Sequence, residues 1–237
     1  MVISIIVCAF NERDTILDVL QGIQDVDFGS DWSKEIIVVD NCSTDGTREI
    51  LKDGLWPNTK IIFNSNNLGK SASIRVAIDA LSGDYAVIQD ADLEYDPSCL
   101  PNLLVKTQTD NAVAVLGSRI LGGKPNYIYY HAFLGVRLLT AVTNVLYGSK
   151  LTDVATAIKL VRSDVLKSLN LVGEGFELDF ELVDKLLLAG HNIHEVSLSY
   201  SPRTYAQGKK IRAIDGLRAL RVIVRDRLGL SSVYKVV

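Results

Sequence analysis

Cysteine is scarce: Cys8, Cys42 and Cys99 are the only three among 237 residues. An odd number, widely spaced, makes neither a disulfide framework nor a metal knuckle, and it fits a reducing, cytoplasmic setting. Long apolar runs are missing as well. The longest, "HAFLGVRLLTAVTNVLYG", is interrupted by Arg137 and falls short of the ~20 clean residues that a bilayer span requires. The opening "MVISIIVCAFNERD" has no basic leader and reaches charge after about nine apolar residues, which predicts a first strand rather than a signal peptide. Of the three histidines, His191 and His194 straddle a loop-to-strand boundary with no third ligand nearby and read as structural. Repeats, low-complexity tracts and linkers are also lacking, so one domain over residues 1–237 is expected.

What is present is a chain with 48% hydrophobic residues, enough for a sizeable core. The net charge of −3 hides an asymmetry, because residues 203–227 hold eight lysines and arginines against two aspartates. Such a basic end points to an anionic partner, a phosphate group or a membrane surface. No nucleic-acid partner is expected.

Residues 1–110 alternate short apolar runs with helical patterns: "VISIIVCAF", 12–24, "EIIVVD", 45–52, "KIIF", 70–81 and "YAVIQD". Strands that are apolar throughout are buried on both faces, which predicts an α/β fold with a mainly parallel sheet flanked by helices. Ligands of such sheets sit beyond the carboxyl ends of the strands. There the polar clusters fall: "NER", "DNCSTDGT", "NSNNLGKS" and "DADLEYD". Ser43 or Thr44, and Asp96 before Pro97, have the chemistry of helix N-caps. Residues 111–202 continue with a strand "AVAVLGS", a helix near 131–147, a strand "ATAIKLV", helices near 163–169 and 177–189, and a strand "IHEVSLSY". A basic loop at 202–210 and a helix over 211–228 fill the segment 203–237.

Side chains alternate along a strand, so Asp90 and Asp92 point to one side if the extended geometry continues, with Glu94 able to join them. Adjacent carboxylates repel unless a cation lies between them. Mg²⁺ or Mn²⁺ is commonly held by one or two carboxylates plus substrate phosphates, so a diphosphate ligand is implied. A solvated acidic turn is the alternative. An EF-hand is excluded, since Tyr95 falls at the glycine position and Pro101 at the glutamate position. "NSNNLGKSAS" lacks the first glycine of a phosphate-binding P-loop, where Asn64 stands, although Lys70 at a helix start remains able to meet a nucleotide phosphate. Asp40, closing the second strand, is placed to accept hydrogen bonds from a base or a ribose.

Taken in order, "VCAFNE", "VVDNCSTDGT", "NLGKSASIRVAIDALSGDYAVIQDADLEYDP", "LGSR", "LTDVATAIKLVRSDVL" and "RTYAQGKKI" resemble the family 2 glycosyltransferases, in the branch of dolichol- and polyprenyl-phosphate sugar synthases. The resemblance implies a GT-A fold, a UDP- or GDP-sugar donor, a divalent Mg²⁺ or Mn²⁺ and inversion at the anomeric carbon. It further implies that Ala9, Phe10, Asn11, Glu12, Asp40, Asn41 and Lys70 line the nucleotide pocket, with Asp90 and Ala91 near the ribose and diphosphate. Asp92 becomes the principal metal ligand, with Asp90 and Glu94 close by. Arg119, Arg137, Arg203, Lys209 and Lys210 become the cations that meet an acceptor phosphate. Three positions depart from the family pattern: Asn41 replaces a carboxylate, Ala9 a proline, and Ala155 with Ala157 stand where polar groups are usual.

The acceptor decides whether a base is needed. A lipid phosphate is anionic at pH 7 and attacks unaided, whereas a sugar hydroxyl of a cell-surface glycan needs a general base in reach. Asp153 is the first candidate for that base, with Asp179 or Glu181 behind it. A nucleotide-sugar-binding module without catalysis is the reading from another class. Within the C-terminal helix, Arg218, Arg221 and Arg225 run beside Leu217, Leu220 and Val224, a pattern suited to peripheral contact with an anionic membrane.

Overall fold

A computed structural model describes residues 1–123, 125–210 and 213–230. Its centre is a seven-stranded sheet in the order β3-β2-β1-β4-β6-β5-β7. The strands are β1 (Val2–Ala9), β2 (Ser33–Asp40), β3 (Thr59–Phe63), β4 (Tyr85–Asp90), β5 (Ala114–Ser118), β6 (Lys159–Arg162) and β7 (Ile193–Ser197). Only β6 runs against its neighbours β4 and β5, so the sheet is mainly parallel, as the apolar runs predict. Among the described residues, eight helices pack around it: α1 (Ile16–Asp25), α2 (Thr47–Asp53), α3 (Lys70–Ala80), α4 (Leu100–Thr109), α5 (Tyr130–Tyr147), α6 (Ser163–Ser168), α7 (Leu178–Leu188) and α8 (Ala213–Arg227).

Alternation along the buried strands sorts the apolar side chains into two layers. Ile3, Ile5 and Val7 pack with Ile16, Val19 and Leu103 on one face. Ile6, Ile37 and Ile88 pack with Ile74, Ile78 and Leu182 on the other. A third cluster joins Leu139 of α5, Phe180 and Val183 of α7 and Ile223 of α8. Register then sets the site: Ala9 pairs with Asp40, Asp40 with Phe63, and Cys8 with Asp90. The carboxyl ends of β1 to β4 therefore lie level on one edge.

Four local expectations are corrected. The first helix begins at Ile16 rather than residue 12, because residues 11–15 are held by other loops: the Glu12 N–H donates to Thr47 and the Thr15 hydroxyl to the Ala91 carbonyl. Neither Ser43 nor Thr44 caps α2; Asp45 accepts from the Thr47 N–H instead, while the Ser43 hydroxyl accepts from the Asn11 N–H. Strand β6 begins at Lys159, since Asp153 and Thr156 are buried in a loop under the sheet edge. The last strand stops at Ser197, before Tyr200. Asp96 does cap the turn begun by Pro97, accepting from the Ser98 N–H at 2.8 Å. Residues 211 and 212, at the expected start of the final helix, lie outside the described residues.

Between α7 and α8 a buried carboxyl carries a testable consequence. Burial pushes Asp184 from 3.8 up to about 8, helped by Asp226 and Glu181 and opposed by Tyr147 and Arg225. The folded chain thus holds this proton more tightly than the unfolded chain, so the contribution to stability is full in acid and is lost as pH rises from about 4 through 8. Asp184→Asn is expected to gain on wild type over that window, by roughly 1–3 kcal/mol at pH 8. Urea midpoints of both proteins at pH 5 and pH 8 check it; an unchanged gap would exclude a raised Asp184.

Candidate active site

Beyond β4 the backbone leaves the extended path at once. Leu93 takes φ of 59°, a left-handed conformation rare for a branched side chain. Asp92 Oδ1 accepts from the Glu94 N–H at 3.1 Å. The expectation that Asp90, Asp92 and Glu94 share one extended face is therefore corrected: the turn gives each carboxylate its own partner. Asp90 meets Lys70 at 2.8 Å, Asp92 meets Arg203 at 2.6 Å, and Glu94 accepts from the Tyr200 hydroxyl at 2.6 Å and the Arg203 N–H at 2.9 Å.

The basic segment lies directly over this acidic turn. Arg203 bridges Asp92 and Glu12, the latter at 3.1 Å; Lys210 pairs with Glu12 at 2.6 Å, and Lys209 stands 3.4 Å from Glu94. Lys210 also donates to the Phe10 carbonyl and sits over the Phe10 ring. Glu12, Asp92, Glu94, Arg203, Lys209 and Lys210 thus form one cluster, although Glu12 and Lys210 are 198 residues apart.

Beside it runs a line of alternating charge. Lys70 opens α3 behind Gly69, whose φ is 83° and where an added Cβ would lie 2.6 Å from the Glu174 carbonyl oxygen, so only glycine fits. Burial works against the Lys70 charge but is outweighed by Asp90 and Asp179, which hold the ammonium above its ordinary pKa. Asp179 faces Lys159 at 2.8 Å and Lys70 at 3.8 Å. Burial would raise the Asp179 carboxyl, and the two lysines prevail and hold it below the usual range.

Each of the expected bases has a cationic partner. Both Asp179 oxygens face ammonium groups. Asp153 is fully buried in a two-pronged pair with Arg119, both bonds at 2.7 Å. Glu181, also fully buried, accepts from the Val172 and Gly173 N–H groups and pairs with Lys185. Asp179 Oδ2, 3.8 Å from Lys70, is the least engaged of these carboxylate oxygens. Arg119, expected to meet an acceptor phosphate, has its charge matched by Asp153, and its guanidinium lies near the Tyr127 and Tyr200 rings. It lines a cleft of about 350 Å³ with Asn126, Ser197 and Ser199.

On the nucleotide side, Asp40 is fully buried, bonded to the Ser43 N–H and to Arg48 at 2.6 Å, so it presents no exposed oxygen to a base. Asn41 accepts from the Leu68 N–H and from Asn64 and donates to Asn67. It orders the loop before Lys70, a role its amide fills and a carboxylate would not, since a carboxylate cannot donate. Ala9 and Ala91 are buried, and Asn11 turns through φ of 53° while accepting from the Thr44 N–H. Arg137 stands apart, exposed on α5.

Among the described residues, no three His, Cys, Asp or Glu side chains converge as a metal cage. The donors fit the other kind of site, one or two carboxylates completed by phosphate oxygens. Burial and the neighbouring Asp90 push Asp92 up to about 7 against the pull of Arg203, the strain a bound cation relieves. Lys159 and Tyr200 escape sequence reasoning. A lysine inside the apolar run "ATAIKLV" was the available signal for the first; nothing local marks the second.

The description "Glycosyl transferase family 2" matches residues 4–169. The chain is 27% identical over 205 residues to a low-salt glycan biosynthesis hexosyltransferase of Haloferax volcanii, covering 85% of this chain and 48% of that protein. With a dolichol-phosphate mannosyltransferase of Pyrococcus furiosus it shares 26% over 191 residues, 78% of this chain and 53% of that one. This chain therefore spans about half the length of these relatives. Among solved structures, glucosyl-3-phosphoglycerate synthase from Mycobacterium tuberculosis, in complex with Mn²⁺, UDP and phosphoglyceric acid, superposes with a TM-score of 0.70 at 21% identity, over 95% of this chain and 78% of that one. S. aureus TarS in complex with UDP-GlcNAc gives 0.63 at 17%, over 95% and 66%. At such identities the likeness establishes the fold, GT-A.

Proposed function

The chain belongs to glycosyl transferase family 2, and from that premise we propose that it is an inverting, metal-dependent glycosyltransferase moving a sugar from a UDP- or GDP-sugar to a polyprenyl or dolichyl phosphate. One observation carries the choice of acceptor. Asp153, Asp179 and Glu181 each pair with a cation, an arrangement that favours an ionised phosphate, which needs no base, over a hydroxyl, which needs one.

Asp92, with Asp90, would hold Mg²⁺ or Mn²⁺; such an ion, when bound, stabilises charge on the departing nucleotide. The chain's own residues do the rest. Lys70, kept charged by Asp90 and Asp179, faces the donor phosphates. Arg203, Lys209 and Lys210, which cover the acidic turn by pairing with Glu12, Asp92 and Glu94, would exchange those carboxylates for the acceptor phosphate.

Transfer assays with UDP- and GDP-sugars and Mn²⁺, offered a polyprenyl phosphate or a sugar hydroxyl, test this. One donor is expected to stabilise the protein by about 2.7 kcal/mol at a hundredfold excess over its Kd, with product formed only on the phosphate. Product on the hydroxyl alone would overturn the acceptor; donor binding without product on either would favour the non-catalytic module.

A further inference from the structure

An 18-residue helix, α5, carries one arginine and no acidic residue. Its inner face packs Leu139, Val142 and Leu146 against α7 and α8. Its outer face is apolar too: Tyr130 is 70% exposed, Leu134 48%, Leu138 63% and Val145 82%. These positions recur at four, four and seven residues and form one stripe. Helix α8, packed beside α5, turns outward Ile214 at 50% and Leu217 at 64%, and Leu228, just beyond its end, is 64% exposed.

The exposed charges on α5 and α8 have one sign. Arg137, Arg218, Arg221 and Arg227 are exposed, whereas the acids of α8 turn in, Asp226 fully buried and Asp215 paired with Arg218. Water gains nothing from such a stripe, and a second copy docked face to face would set arginine against arginine. An anionic leaflet matches both features, taking the apolar side chains below the headgroups and the arginines at their level. No helix among the described residues is long and apolar enough to cross a membrane.

We propose that the outer faces of α5 and α8 dock together on an anionic bilayer surface. The position suits the site. Tyr129, preceding α5, stacks on Tyr205 at 4.9 Å, and Tyr205 is two residues from Arg203. The docked face thereby adjoins the segment that covers the acidic turn, and a lipid phosphate in the leaflet is delivered beside Arg203. The use of this surface rests on the lipid-phosphate reading above; the docking itself does not.

Sedimentation with vesicles tests it. The whole chain is expected to bind phosphatidylcholine vesicles containing 30% phosphatidylglycerol, and pure phosphatidylcholine far less. Leu134→Glu/Leu138→Glu should weaken binding on the order of tenfold or more, with an unchanged melting temperature and unchanged transfer to a detergent-dispersed acceptor. Equal binding by wild type and the double variant would overturn the proposal, as would a wild type that ignores vesicles, including one that elutes as a dimer through this face. Vesicle binding without sugar transfer to any acceptor would sink the catalytic reading and leave the docking intact.

Discussion

Asp92→Asn is expected to lower sugar transfer by roughly 10²–10³-fold while the protein stays folded. The magnitude is that of removing one preorganised electrostatic partner from the transition state. Asp92 lies in a turn outside the three apolar clusters, so the substitution empties no core. It removes instead the carboxyl that burial and Asp90 push up to about 7, the group proposed above to share a divalent cation with the donor diphosphate. Glu94→Gln should lose far less, because the amide oxygen can still accept from the Tyr200 hydroxyl or the Arg203 N–H that Glu94 holds. Steady-state transfer with Mn²⁺ and the melting temperature of each variant decide the matter. Near-wild-type transfer in Asp92→Asn, or an equal loss in both variants, contradicts the assignment.

The largest stability effect is expected at Asp153. Its carboxylate is fully buried and takes two bonds of 2.7 Å from Arg119, whose side chain is 9% exposed. Asp153→Ala leaves the guanidinium buried between two tyrosine rings with no counter-charge, which should cost about 3–5 kcal/mol. Arg119→Met/Asp153→Leu removes both charges and should recover most of that loss, since it strands neither ion. Urea unfolding of wild type, the single variant and the pair gives the comparison. A single-variant loss below about 1 kcal/mol, typical of an exposed pair, would show that Asp153 is not the buried counter-ion, and would reopen it as a base.

Both outcomes bear on how the site was legible. The strand-to-loop edge could be read directly, because burial on both faces leaves a continuous apolar run and the run ends where the chain meets solvent. Asp40 and Asp90 closed their runs in the sequence and close β2 and β4 in the structure. The residue types at those ends, and the order of the motifs, were enough to identify the family. Pairings were another matter. Asp153, Asp179 and Glu181 had the composition of a general base, but whether a carboxylate is free depends on which cation folding brings against it.

Local order was therefore determined by the sequence itself: the alternation of strands and helices follows from the periodicity of apolar residues, and the Asp96 cap from a contact two residues away. Tertiary structure alone decided the charge state of the site. Lys159 reaches Asp179 across 20 residues, Tyr200 reaches Glu94 across 106 and Lys210 reaches Glu12 across 198. Burial multiplies the strength of each such encounter by removing water. The same carboxylate is thus a base in one surrounding and a silent counter-ion in another, and the surrounding is assembled only when the sheet closes.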